Sequence, residues 1–152
     1  MTMTARTKRI LTAILVLALL CGAVYAVFGN PVVRWHNFRL HRAVSAVQGN
    51  TVTLEELVPF AWDTVYTFAP YDTKEEIEAV VGFSSRDIRP NWINEGMVHL
   101  IFTRKNHVTA CILAYPQGLG WNISFTGRIP YGEQIPFVVS RTEYGILLEA
   151  AS

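Results

Sequence analysis

The sequence predicts an α+β protein, in which an amino-terminal transmembrane helix precedes a small domain with a mostly antiparallel sheet and one or two covering helices. An uncharged apolar run fills residues 10–28, alternating strand patterns dominate the second half of the chain, and two capping boxes lie between them. The predicted division is a short basic tail at 1–9, an anchor at 10–28, a membrane-proximal helix at 30–49 and a globular domain at 51–152.

The anchor is predicted from its length and composition. Residues 10–28 read ILTAILVLALLCGAVYAVF and follow the basic Arg6, Lys8 and Arg9. As a helix this run is about 28 Å long, which is close to the hydrocarbon thickness of a bilayer. Cleaved signal peptides have a shorter apolar core of roughly 7–15 residues. We therefore predict an uncleaved anchor with the bilayer as its partner, and cleavage after residues 24–26, VYA, is the alternative.

The charges that flank the anchor are nearly balanced, because Arg34, Arg39 and Arg42 follow it. The arrangement is typical of a bacterial signal anchor, so we predict a single pass through the cytoplasmic membrane with the domain outside. The reverse orientation is the alternative. Cys21 does not indicate a lipoprotein, because Leu20 precedes it and a lipid-modified cysteine normally follows a small residue.

The soluble part is mildly acidic. All twelve acidic residues lie after Thr51 together with seven of the thirteen basic ones, which gives this part a formal net charge of −5. Nucleic acid is excluded as a predicted partner, because phosphate binding needs a basic face. Cys111 lies in this part and Cys21 in the anchor, so the two are not expected to pair, and Cys111 is expected to be a small buried hydrophobe.

The membrane-proximal helix is predicted from Pro31 to Gln48, with Asn30 as its cap and Gly49 at its exit. Its apolar face consists of Val33, Leu40, Ala43, Val44 and Val47, and a second face of Arg34, His41, Ser45 and Gln48. Two interpretations stay open and can both hold at different turns. The helix packs on the core, or it lies in the headgroup region with its arginines, Trp35 and Phe38.

The stretch FAWDTVYTFA, residues 60–69, is predicted to be a strand that ends at Pro70. Alternation places the bulky Phe60, Trp62, Thr64, Tyr66 and Phe68 on one face. The smaller Ala61, Asp63, Val65, Thr67 and Ala69 occupy the other. Because both faces are largely apolar, we expect this strand to be covered on both sides.

Local signals predict the remaining elements. Thr53 and Thr73 each precede a glutamate by three residues and so predict capped helices, the second of which buries Ile77, Val80 and Val81 and ends at Gly82. The later strands are expected to form a meander. Its hairpin turns lie at residues 105–106 and 142–145, and a short strand is expected at 121–125 within a connection rich in loops.

Candidate catalytic residues are few. Asp63, within the aromatic strand, and Asp72 are the carboxylates considered as general acids or bases, with His99 and His107 as partners. The alternative for Asp63 is a structural hydrogen-bond acceptor. His36 and His41 are five residues apart and so do not share a helix face as metal ligands four apart would. No metal or cofactor is predicted.

The segment WDTVYTFAPYDTKEEIEAVVGF resembles the Trp-Asp-x-x-Tyr-x-Phe-x-Pro-Tyr segment and acidic helix of small, largely uncharacterised bacterial envelope proteins. These carry a lipoprotein signal or a single amino-terminal membrane helix. The likeness extends over GMVHLIFTRKNHVTACILAYP and covers most of residues 51–150. It implies a bacterial source and an envelope location, with no active-site residues to transfer, and this chain departs from it at Cys21.

These observations predict a membrane-anchored extracytoplasmic domain that binds a protein partner without catalysis, such as an immunity or inhibitor protein. The expected contact residues are the aromatic side chains assigned to loops, Trp121, Tyr131, Tyr71 and Trp92. The alternatives are an envelope hydrolase-like enzyme that uses the candidate carboxylates and histidines, or a membrane-tethered cytoplasmic regulator if the orientation is reversed.

Overall fold

The computed structural model describes residues 5–90 and 95–151. The chain divides into two units, Met1–Pro31 and Val32–Ser152. The helices are α1 (Ala5–Phe28), α2 (Pro31–Ser45), α3 (Leu54–Leu57), α4 (Lys74–Val81) and α5 (Pro116–Leu119). The strands are β1 (Thr51–Thr53), β2 (Thr64–Thr67), β3 (Val98–Arg104), β4 (His107–Ala114), β5 (Trp121–Ser124), β6 (Arg128–Pro130), β7 (Pro136–Thr142) and β8 (Gly145–Ala150).

The first helix is long and apolar enough to cross a membrane, judged by its length and composition. The stretch that meets this test is Arg6–Tyr25, and none of it is buried within the chain. The helix begins at Ala5. The first turns of α1 therefore contain Arg6, Lys8 and Arg9, which were predicted to lie in a separate basic tail.

The strands form two four-stranded sheets, where the sequence predicted one. The first sheet has the order β1-β7-β8-β5 and the second has the order β4-β3-β2-β6. Among the described pairings, β5 with β8 is parallel and the others are antiparallel. The α+β class with mostly antiparallel sheets is therefore confirmed. The predicted meander is wrong, because β7 returns to pair with β1 and β5 joins β8 across β6 and β7.

One buried cluster contains side chains from both sheets. Val65, Phe102 and Ile129 are neighbours in the register of the second sheet, and Phe137 and Leu148 come from the first. Each of the five is at most 3% exposed. Burial of these apolar side chains away from water contributes the largest favourable term to the stability of the domain.

The opposite face of the second sheet packs against α4. Tyr66, Ile101 and Cys111 are register neighbours on that face, and they share a cluster with Ile77 and Val81. The second sheet is thus covered on both faces, as the alternation within β2 predicted. Burial raises the pKa of the Cys111 thiol to about 11, which is the behaviour expected of a small buried hydrophobe.

The predicted strand at residues 60–69 is shorter than expected. Only Thr64–Thr67 pairs as β2, and the backbone bends at Phe60 and Asp63. Alternation counted from Phe60 therefore does not continue through the bend. Trp62 packs in the cluster that joins the two sheets, whereas Tyr66 lies in the cluster against α4. The single aromatic face predicted for this segment is wrong.

Local signals for helix ends and turns are confirmed. Both capping boxes are present, at α3 with Thr53 and at α4 with Thr73, and Gly82 ends α4 at φ 90°. Lys105 and Asn106 have φ of 46° and 59°, as a tight two-residue hairpin turn requires.

The prediction that Val80 is buried is wrong, because this side chain is 58% exposed.

Candidate functional site

Asp63 has a structural role at the β3–β4 turn. Its carboxylate Oδ2 accepts a hydrogen bond of 2.9 Å from the backbone N–H of Lys105, which lies in that turn. Its own N–H donates to the carbonyl of Thr103 at 2.7 Å, and its carbonyl accepts from the N–H of Tyr131 at 2.7 Å. Asp63 thus links β3 to the end of β6, which accounts for an acid beside buried aromatic rings.

Asp72 also acts as a turn acceptor. Its Oδ2 accepts a hydrogen bond of 2.8 Å from the N–H of Ala69, in the loop that leads into α4. Short acidic side chains commonly stabilise turns in this way. Both candidate carboxylates are therefore occupied by backbone amides in exposed loops.

His99 lies in the apolar interior, and His107 lies at the surface. His99 is 1% exposed, sits opposite Leu113 in β3, and has its ring centroid 5.5 Å from that of Phe68. Within residues 5–90 and 95–151, neither of its ring nitrogens has a hydrogen-bond partner. Burial lowers its pKa to about 4, so the ring is neutral at pH 7.

The four candidate catalytic residues divide between the two ends of the second sheet. Asp63 and His107 lie near the β3–β4 turn, and Asp72 and His99 lie toward the opposite end of β3. No hydrogen bond or ion pair among the described residues connects any two of them. The described part of the chain also holds no group of three or more His, Cys, Asp or Glu that could bind a metal ion.

Trp121 is not a surface residue, which corrects its assignment as an exposed contact. It is 1% exposed, and its indole N–H donates a hydrogen bond of 3.0 Å to Nδ1 of His41. Residues 116–119, in the connection that was predicted to be rich in loops, form α5, and Gly120 ends that helix at φ 72°. Trp121 then begins β5, whose pairing with β8 places the indole in the apolar cluster.

Tyr71 and Tyr131 are exposed as predicted, at 58% each. Tyr131 contacts the ring of Trp62 edge-on, with 5.2 Å between centroids. Tyr71 adopts φ 76°, and its hydroxyl donates a hydrogen bond of 2.6 Å to Glu95, which raises the pKa of the phenol. The two tyrosines flank opposite ends of β2 and therefore do not form one patch. Trp92 lies outside the described residues.

A depression of 470 Å³ lies beside Tyr71. Its lining combines the start of α4 with the loops on either side of that helix: Tyr71, Thr73, Lys74, Glu75 and Pro90. A non-glycine residue with positive φ is strained, and such strain tends to occur at functional sites. Tyr71 and this depression form the first candidate contact surface, which we call the Tyr71 surface.

The inner face of α2 protects an edge of the second sheet. The Asn37 side chain donates to the carbonyl of Cys111 at 2.8 Å and accepts from its N–H at 3.0 Å. Nδ1 of His36 donates to the carbonyl of Thr109 at 2.8 Å, and the His36 ring stacks on Phe60. These bonds replace a neighbouring strand along β4, which would otherwise have an open edge.

The outer face of α2 is aromatic and basic. It consists of Val32, Trp35, Phe38, Arg39 and Arg42, which are all exposed. The rings of Trp35 and Phe38 stack with 5.6 Å between centroids, and Arg42 lies 5.9 Å from the Phe38 centroid. This is the second candidate contact surface. Trp35 and Phe38 were predicted from the sequence as candidates for the headgroup region. His41 was assigned to a polar face, whereas it accepts a hydrogen bond from the buried indole of Trp121.

The comparisons with known proteins found no match for this chain. No family model matches it, and neither a curated protein nor a solved structure matches it. A functional assignment therefore depends on the geometry of its own surfaces.

Proposed function

We propose that this protein crosses the cytoplasmic membrane once and that its folded domain is extracytoplasmic and binds a protein partner. The observation that supports the membrane anchor is the contrast between the two units. The Arg6–Tyr25 part of α1 is apolar and has nothing buried, whereas Val32–Ser152 folds around its own core. An exposed apolar helix of this length is stable in a bilayer and would aggregate in water.

The Tyr71 surface is the proposed protein-binding site. Tyrosine is enriched among the residues that dominate binding energy, because it offers a large, rigid contact area with a polar end. The hydrogen bond to Glu95 holds this phenol in place before binding, so less conformational freedom is lost on association. A small anchored domain with such a site suits an immunity or inhibitor role.

Membrane insertion and orientation are tested together. The full chain should resist extraction from membranes by alkaline carbonate, and a phosphatase fused after Ser152 should be active. Release by carbonate would contradict the anchor. An inactive phosphatase combined with a fluorescent cytoplasmic reporter at the same position would contradict the orientation.

Partner binding is tested by co-purification from solubilised membranes. The Tyr71→Ala variant should lose a protein that the wild-type chain retains, and Glu95→Gln should weaken its capture. Tyr144→Ala is the matched control, because Tyr144 is 70% exposed on the β7–β8 turn, away from the Tyr71 surface. Equal capture by the Tyr71→Ala and Tyr144→Ala variants would reject the Tyr71 surface as the binding site.

A further inference from the structure

We propose that the outer face of α2 lies in the headgroup region of the membrane and binds anionic phospholipid. The inference rests on the proposed anchoring by α1 and adds a second membrane contact made by the folded domain itself. Its surface is the set already defined on α2: Val32, Trp35, Phe38, Arg39 and Arg42.

The two faces of α2 are separate around the helix axis. Val33, Leu40 and Val44 are buried, and a helical repeat of 3.6 residues places Trp35 and Arg42 on the opposite side. Because the inner face is fully used by the core and by the edge of β4, the outer aromatic rings are not needed for packing. Trp35 and Phe38 nevertheless remain 58% and 50% exposed.

The chemistry of this face matches a bilayer surface. Tryptophan is enriched where hydrocarbon meets water, and arginine donates to phosphate oxygens. The α2 sequence PVVRWHNFRLHRAVS contains arginines and no acid, while the chain after Thr51 carries a net −5. The basic charge is therefore concentrated on the element that would meet anionic headgroups, and the acidic remainder is repelled by them.

Position in the chain favours lipid over a protein as the occupant. Only Gly29 and Asn30 separate the end of α1 from the start of α2. Two residues span about 10 Å at most, so α2 begins beside the surface of any bilayer that α1 crosses. A basic amphipathic helix at that depth buries its aromatic rings at the headgroup boundary.

Fluorescence quenching of Trp35 tests this contact in the full chain. The protein is reconstituted in phosphatidylcholine vesicles with phosphatidylglycerol, where the acyl chains carry bromine near the headgroup. We expect quenching in the wild type that is lost in Trp35→Phe. The control is the same pair of proteins in vesicles of unbrominated lipid, where neither should be quenched. Equal quenching of the wild type and Trp35→Phe would overturn the proposal.

The anionic requirement is tested with charge variants. Arg39→Gln with Arg42→Gln should reduce the Trp35 quenching by about twofold or more in phosphatidylglycerol vesicles. The matched pair Arg104→Gln with Arg128→Gln removes the same charge from exposed positions outside α2 and should leave it unchanged. Equal losses in the two pairs would overturn lipid binding by this face.

Failure of this inference is distinguishable from failure of the anchor. If the chain withstands carbonate extraction but Trp35 is not quenched, the anchor is supported and the α2 contact is rejected. Cross-linking of Trp35→Cys to a protein would then identify a different occupant of this face. If carbonate releases the chain, both proposals are rejected.

Discussion

The indole N–H of Trp121 donates a hydrogen bond of 3.0 Å to Nδ1 of His41, across 80 positions of sequence. An indole nitrogen only donates, so Nδ1 of His41 is unprotonated and a neutral ring carries its proton on Nε2. This bond joins α2 to β5, and it satisfies a polar group that is otherwise enclosed by the apolar cluster.

Removal of the acceptor should therefore destabilise the domain. We expect His41→Ala to lower the free energy of unfolding by ~1–3 kcal/mol, because the buried N–H loses its partner. Chemical denaturation followed by tryptophan fluorescence measures the change. In a Trp121→Phe background, which lacks the donor, the same substitution should cost less. An equal cost in both backgrounds would show that the bond contributes nothing.

Asn37 should be important for both stability and solubility. Asn37→Ala removes two hydrogen bonds to the backbone of Cys111 and uncovers the edge of β4. We expect a loss of ~1–3 kcal/mol in the free energy of unfolding and more aggregation in light scattering. Ser45→Ala, at an exposed position of the same helix, should change neither quantity. Similar behaviour of the two variants would contradict the role of Asn37 as an edge cover.

Asp63 is expected to act as a turn acceptor. Asp63→Ala should lower the free energy of unfolding by ~0.5–1.5 kcal/mol, because the N–H of Lys105 loses its acceptor. Asp63→Asn keeps an oxygen at that position and should restore most of the loss. Both variants should still capture the partner that the wild type captures. Loss of capture by a stable Asp63→Asn variant would instead assign this residue a functional role.

His99 should make the domain sensitive to mild acid. Its pKa is about 4 in the folded chain against 6.5 in the unfolded chain, so the unfolded state binds more protons between these values. Stability is then present above pH 6.5 and falls as the pH is lowered, by ~2 kcal/mol between pH 7 and pH 5. His99→Leu should flatten this dependence in denaturation curves. An unchanged slope in that variant would exclude His99 as the cause.

Elements that depend on neighbouring residues were predictable from the sequence. Each capping box places a threonine hydroxyl and a glutamate carboxylate three positions apart, and both boxes form as expected. The turn at Lys105 and Asn106 and the apolar composition of α1 are local in the same sense. The caps and the turn are stabilised within one helical turn or one hairpin, so the adjacent residues contain the information that decides them. The apolar length of α1 follows directly from its composition.

The tertiary structure alone decided how distant segments pair. The parallel contact of β5 with β8 buries Trp121, and the side chains of His36 and Asn37 replace a strand beside β4. Neither feature has a local signature, because the partners are brought together only when the apolar cluster forms. The same packing buries the inner face of α2 and leaves the outer face exposed. The helical repeat alone groups the residues by face but does not show which groups are buried.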